Sequence, residues 1–344
     1  SAASDVYKRQ VLLYATAMAS GPYRIPHLKV DGYAAATNQT SASAFRGFGG
    51  PQACFAYEGQ MDAVARELNM DPLELRKINY LHTGDPIATG QVIDSAAWLE
   101  ETASHALAAL GEKTPHRGPV RTGWGFASYF QSYGRITWSH DTSRAWVGLE
   151  LDGTAVIRSG VPDLGAGQIN SLAQITAEIL GVPLHDITVY ATDSAVTPLA
   201  GTSTATRQLY MSGNAVSMAA GAVRKVLLER AQRHFEEEIE NLDLADGCVF
   251  VKSDPEQSMH LGELAAICAA EGLELSNLAQ FNAPFTGPLD PETGQGRIWP
   301  DFTFGAHAVE VAVDMETGQV DIVKSVGCHD VGLSLIHISE PTRQ

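Results

Sequence analysis

Positive charge is scarce in this sequence. Its 23 Lys and Arg face 40 Asp and Glu, giving a formal net charge of −17. A nucleic-acid backbone would be repelled overall, and no basic stripe interrupts the acidic background, so nucleic-acid binding is set aside. Apolar runs fall far short of the roughly 20 residues of a membrane span. The first residues lack the basic start, apolar stretch and cleavage site of a secretory signal. Cysteine is sparse too: Cys54, Cys248, Cys268 and Cys328 are scattered, with no short pair. That spacing argues against an iron–sulfur, zinc or other metal site built by this chain and against a disulfide framework. It suits reduced thiols in a cytoplasmic protein. The common fingerprints are missing as well: no Gly-Lys-Ser/Thr loop, no G-x-G-x-x-G between strand and helix, and no His-Glu-x-x-His.

What is present suits a globular protein. The 344 residues are 44% apolar and 18% charged, enough for two domains with sizeable cores. Strands and helices both alternate and cluster, so the expected class is α+β, a two-domain architecture of mixed sheets and helices. Leu28 to Asn38 suits a strand. Pro51 opens a helix whose apolar stripe is Tyr57, Met61, Val64, Ala65 and Leu68, and Asp71-Pro72 caps a short helix through Leu75 and Ile78. The Pro, Gly and basic residues from Gly111 to Gly123 read as a linker. Asp152-Gly153 joins Trp146–Leu151 to Thr154–Arg158 as a hairpin. A helix ends at Leu180 before Gly181 and Pro183, Ile187 to Ala191 is a strand, and a long helix runs from about Gly213 to Ile239. A second hairpin links Ala308–Val313 to Gln319–Val326, and His307 and His329 beside it read as hydrogen-bonded structural histidines.

The two ends look foreign to this pattern. Residues 1–10 and 333–344 resemble translated sequencing-adapter read-through and are read as non-native tails, the alternative being short natural termini. Between them, 11–112 and 113–332 are the expected domains.

Three segments place glycine and small hydroxylated residues at helix starts: Ala44 to Gln52, Asp163 to Gln168, and Gly201 to Gln208. Free amides and the positive end of the helix dipole make such turns anion cradles. Several on one acidic chain suggest a large anionic cofactor. Phe48, held between two glycines, is an aromatic that buries poorly unless something stacks on it.

At these residues the sequence resembles the molybdopterin-binding subunit of the xanthine dehydrogenase/aldehyde oxidase family. The resemblance rests on Ala44 through Gln52, with Gly21–Pro26 upstream and Met70–Arg76 downstream. Leu180–Pro183, Ser212–Val216, Phe304–His307 and His329–Gly332 follow in the same order, so that residues 11–332 are covered. It implies the downstream part of a first cofactor-binding domain in 11–112 and a second, incomplete one in 113–332. It implies that Ala44, Phe45, Arg46 and Gly47 line the molybdenum end of a molybdopterin cofactor, in its plain or cytosine dinucleotide form. Phe48 would stack on the substrate. Gly165, Ala166, Gly167 and Gln168, with Ala205, Thr206, Arg207 and Gln208, would hold pterin and phosphates. Ala166 stands where many members carry Gln, leaving Gln168 as a candidate for that amide contact. Gly47 stands where the carbon monoxide dehydrogenases carry a copper-bridging cysteine, which argues against that activity.

The implied activity is hydroxylation, with water, of an aromatic N-heterocycle (purine-like) or an aldehyde. Electrons would leave through iron–sulfur clusters and FAD on partner subunits. The family's base glutamate is expected beyond Gly332, so no catalytic residue is assigned here, and the chain made alone is expected to be inactive and to hold the cofactor poorly. An aromatic acyl-thioester reductase of the same family and a non-catalytic binding module are the alternatives.

Overall fold

The computed structural model describes residues 11–35, 37–38, 45–134, 142–284 and 286–332. Its helices in chain order are α1 (residues 11–17), α2 (Gly50–Glu67), α3 (Pro72–Asn79), α4 (Leu99–Leu110), α5 (Gln168–Leu180), α6 (Asn214–Phe235) and α7 (Leu261–Ala270). The first five strands are β1 (Val120–Ser132), β2 (Thr142–Leu149), β3 (Ala155–Ser159), β4 (Ile187–Ala191) and β5 (Leu242–Ala245). The others are β6 (Cys248–Val251), β7 (Asp254–His260), β8 (Ser276–Asn282), β9 (Phe302–Asp314) and β10 (Val320–Asp330). This is the mixed α+β composition expected. Among the described residues, one compact unit holds those up to Tyr133 together with Gly287–Gly332, and the other those from Gly134 to Thr286. The compact units therefore do not follow a single break after residue 112. The two presumed tails lie outside the described residues.

In the first unit, Pro51 lies in the first turn of α2, where its missing N–H costs nothing. The stripe read from sequence faces inward, with Ala65 buried and Tyr57, Met61 and Val64 half-buried, while Leu68 is left exposed. The Asp71 carboxylate caps α3, accepting from the amides of Leu73 at 2.8 Å and Glu74 at 3.1 Å. Asp71→Ala is expected to lower stability by about 1 kcal/mol, read as a shift in denaturation midpoint. The antiparallel sheet runs β1-β9-β10, and α4 packs on β9 and β10 through Leu99, Ala103, Ala106 and Leu110, an i, i+4, i+7, i+11 stripe. Lys324 of β10 donates to the last carbonyls of that helix, Ala109 at 2.6 Å and Leu110 at 2.7 Å.

A buried ion pair ties the motif segments of this unit together. Glu58 of α2 accepts from Arg76 Nε at 3.0 Å, from the Ser128 amide at 3.0 Å and from the Tyr23 hydroxyl. Arg76, fully buried, also donates to Asp62 at 2.8 Å and to the carbonyls of Pro72 and Glu58. Its guanidinium lies 4.7 Å from the Phe126 ring centroid. The Gly21–Pro26 and Met70–Arg76 segments are thus held by one carboxylate.

In the second unit the sheet order is β4-β3-β2-β8, with β3 and β4 parallel across the α5 crossover and the other pairs antiparallel. Ala145, Val147, Ala155 and Ile157 point to one face and pack with Leu172, Ile175, Val216, Ala219 and Val223 of α5 and α6. Gly181 stops α5 in the left-handed region at φ 65°, as its position predicts. The hairpin between β2 and β3 is present with a longer turn than Asp152-Gly153 alone: Glu150 donates to the Thr154 carbonyl at 2.8 Å and Gly153 to that of Glu150 at 3.0 Å.

Two expectations need correction. Leu28 to Asn38 forms no strand in its described part. Those residues are exposed with no ladder partner, and strand-prone residues without a neighbouring strand gain nothing from extension. The long helix ends at Phe235 rather than Ile239, because Glu236 turns left-handed at φ 56° and leads toward β5. The β5-β6-β7 sheet that follows was not anticipated, since two of its strands are four residues long.

Candidate functional site

The turn Phe45–Gly50 carries the site residues of the first unit; Ala44 lies outside the described residues. Phe48 donates from its amide to the Phe45 carbonyl at 2.8 Å, and Gly50 to that of Gly47 at 3.0 Å. Gly47, Phe48 and Gly49 take φ of 98°, 55° and 105°. Glycine is required at two of them. A Cβ on Gly47 would lie 2.7 Å from the Pro51 ring, and one on Gly49 would lie 2.3 Å from the Val11 carbonyl oxygen of α1. The absence of a cysteine at position 47 therefore has a steric reason here. Phe48 is half-buried and stands edge-on to Tyr14, with centroids 5.7 Å apart. Tyr14 meets Trp299 at 5.5 Å, and Trp299 meets Phe302 at 5.7 Å. A chain of rings thus runs from the turn to β9, while Phe45 and Arg46 remain exposed.

In the second unit, Gly165 and Gly167 adopt left-handed backbone with open space where a Cβ would stand. Their amides are not the free donors the sequence suggested. The Asp163 carboxylate accepts from Gly165 at 2.8 Å and from Gly167 at 3.2 Å, an Asx-type turn before α5. Ala166 is exposed. Gln168 opens α5 with its side-chain oxygen buried and without a hydrogen-bond partner, an orphaned acceptor at the candidate position.

The loop before α6 is the more constrained. Ala205 and Thr206 both sit in the left-handed region, at φ 50° and 59°, an uncommon pair for residues with a Cβ and a strained one for β-branched Thr206. The fully buried Arg207 guanidinium donates to the carbonyls of Ala200 (3.0 Å), Thr202 (2.8 Å) and Thr142 (2.9 Å), lacing the loop to the start of β2. Gly201 leaves room for it, since a Cβ there would lie 2.9 Å from both terminal nitrogens. Gln208 donates to Ser203 Oγ and accepts from Ser212 Oγ at 3.2 Å, and Ser212 meets Ser143 of β2 at 2.8 Å. Residues Leu209–Gly213 form a π-helical turn, a feature that often marks functional sites. The structure packs α5 against this turn.

Family comparison speaks to the same two segments. A molybdopterin cofactor-binding domain model matches residues 98–336, and another of that description matches residues 1–80. The chain belongs to the molybdopterin cofactor-binding family. It is 30% identical over 318 residues to the xanthine dehydrogenase molybdenum-binding subunit of Escherichia coli O157:H7, covering 89% of this chain and 40% of that one. Among solved structures it is similar to the aldehyde oxidoreductase of Desulfovibrio gigas, with a TM-score of 0.73 and 25% identity, over 95% of this chain and 33% of that one. It is likewise similar to the aldehyde oxidoreductase of Desulfovibrio desulfuricans, with a TM-score of 0.71 and 26% identity, over 96% and 33%. The chain thus spans two fifths or less of the length of these relatives. The xanthine dehydrogenase/aldehyde oxidase family expected from the ordered motifs is the one found.

Several parts of this molybdopterin-binding chain gave no sequence signal. The π-helical turn has no periodicity distinct from the helix it precedes, and the Ser143–Ser212–Gln208–Ser203 chain joins positions up to 69 residues apart. Tyr14, which supports Phe48, stands in an unremarkable apolar run. Among the described residues, no helix is long and apolar enough to cross a membrane, and no group of three or more His, Cys, Asp or Glu could hold a metal ion.

Proposed function

We propose that the chain is the cofactor-holding part of a molybdenum hydroxylase that acts on an aromatic N-heterocycle or an aldehyde. The observation that carries the reading is the strained Ala205–Thr206 pair, kept in place by Arg207 and Gln208 in a chain of this family. Strain of that kind persists where the surroundings over-determine it, and it clusters at ligand clamps. The orphaned Gln168 oxygen and the open space over Gly165 and Gly167 fit a ligand that brings its own donors, as a pterin does.

In this reading 11–112 is the downstream part of a first cofactor-binding domain and 113–332 a second one. Ala205, Thr206 and Gln208 present backbone to pterin and phosphate, while Gln168 accepts from a pterin N–H. Arg207 shapes the loop rather than meeting the ligand with its side chain. Asp163 occupies the Gly165 and Gly167 amides, so the cofactor's charged end is assigned to the 205–208 loop and its uncharged ring to Gln168. Ala44, Phe45, Arg46 and Gly47 are assigned to the metal end, and Phe48, backed by Tyr14, is assigned to a flat substrate. When bound, the cofactor supplies the redox centre for hydroxylation with water. The Escherichia coli relative is named a molybdenum-binding subunit, which favours partner subunits carrying iron–sulfur clusters and FAD. The thiols are free, in keeping with a cytoplasmic enzyme.

The test is the pterin content of the chain purified from a host that makes the molybdenum cofactor, read as the fluorescent oxidised pterin. Chromatography of the released nucleotide identifies the cytosine form. Pterin above that of an unrelated control is expected, falling about tenfold in Gln168→Ala with the fold intact, as for a buried amide contact. Pterin at the control level in both would end the proposal.

A further inference from the structure

Two exposed histidines on the β1-β9-β10 sheet converge on a glycine. His307 of β9 pairs across the sheet with Gly327 of β10, and His329 lies two residues further along β10 on the same face. A Cβ on Gly327 would lie 2.7 Å from His307 Nε2 and 2.8 Å from His329 Nε2, so both nitrogens lean toward one small space. The ring centroids are 5.2 Å apart. Two imidazoles bound through Nε2 to one tetrahedral ion, at metal–nitrogen distances of about 2.0–2.1 Å, place their centroids about 5 Å apart. We propose that His307 and His329 form a two-histidine site for a borderline transition-metal ion such as Zn²⁺, Ni²⁺ or Cu²⁺, open to solvent above Gly327.

The surroundings support the assignment. His329 Nδ1 is hydrogen-bonded to the Tyr129 hydroxyl at 2.6 Å, which orients the ring and leaves Nε2 as its outward nitrogen. Ion binding selects the tautomer in which Nδ1–H donates to the phenol oxygen, the usual outer partner of a ligating histidine. Gly305 makes room for the Tyr129 ring, since a Cβ there would lie 2.7 Å from it. With two protein ligands, water completes the shell and the ion exchanges readily, unlike one in a closed structural site. The ligands come from adjacent strands, so the ion would clip β9 to β10.

The test uses the full chain without an affinity tag, stripped with chelator and titrated with Zn²⁺ or Cu²⁺ by calorimetry. Copper spectra report the nitrogen ligands. One ion per chain is expected, with affinity falling about tenfold or more in His307→Gln, in His329→Gln and in Gly327→Ala, and about tenfold in Tyr129→Phe. Gly327→Ala is the most telling variant, because it keeps both imidazoles and fills the space between them. Its backbone is extended strand that alanine can adopt, and a melting curve confirms the fold of each variant. Binding of one ion that persists unchanged in Gly327→Ala and in the double histidine variant would place the ion on other histidines and overturn the proposal. So would no uptake at millimolar metal.

Discussion

Arg76→Leu is expected to lower the stability of the first compact unit by about 3–5 kcal/mol. The substitution removes the positive partner of a carboxylate that has nowhere to go: Glu58 is 5% exposed and Arg76 not at all. Breaking such a pair costs more than the pair contributes, because the remaining charge is stranded away from water. The pH dependence gives the test a sign. Burial pushes the Glu58 carboxyl up, and the Arg76 guanidinium and the Tyr23 hydroxyl oppose it. Without Arg76 the opposition weakens and the carboxyl rises further. A carboxyl raised in the folded state contributes stability below its unfolded value of about 4.3, and loses it as pH rises through the folded value. The gap between the variant and the parent should therefore be narrow near pH 5 and wide near pH 8. Denaturation curves at the two pH values measure it, and a gap independent of pH would mean that Glu58 finds another partner.

Arg207→Leu is the second large effect, about 3–4 kcal/mol from the second unit, since three carbonyls lose a charged donor at once. Arg207→Lys is expected to restore little. One ammonium cannot reach the carbonyls of Ala200, Thr202 and Thr142 in the fork that a guanidinium spans. The loss should be local before it is global. The strained 205–206 backbone loses its restraint, so limited proteolysis between residues 199 and 206 should accelerate before the unit melts. Equal cleavage rates in parent and variant would show that the strain is held elsewhere.

These two arginines also show what the sequence made legible. Helix α2, the Asp71 cap, the stop at Gly181 and both hairpins were readable because each depends on residues within a few positions of one another. The cofactor family was readable for a related reason: its motifs are short and keep their order. Arg207 sits inside one of those motifs, yet nothing nearby says that its guanidinium turns inward to carbonyls as far off as Thr142. Asp163 misled in the opposite direction, because a local Asx turn occupies the amides that the glycine pattern seemed to leave open. Leu28 to Asn38 had the composition of a strand but no partner, and partners are a property of the whole chain. Phe48 was expected as an exposed ring, while Tyr14 covers its edge from 34 residues upstream.

The pairing of β1 with β9 sets an order of events during synthesis. Val120 meets Asp314 and Ser132 meets Phe302, so the first unit's sheet waits for residues about 180 positions downstream. All of the described second unit is made in that interval, from one uninterrupted stretch of chain, Gly134 to Thr286. It can fold as soon as it leaves the ribosome, whereas α4, whose apolar stripe packs on β9 and β10, must wait with that stripe uncovered. The vulnerable species in the life of this protein is therefore a half-made one: a finished second unit trailing behind a helix that still lacks its sheet.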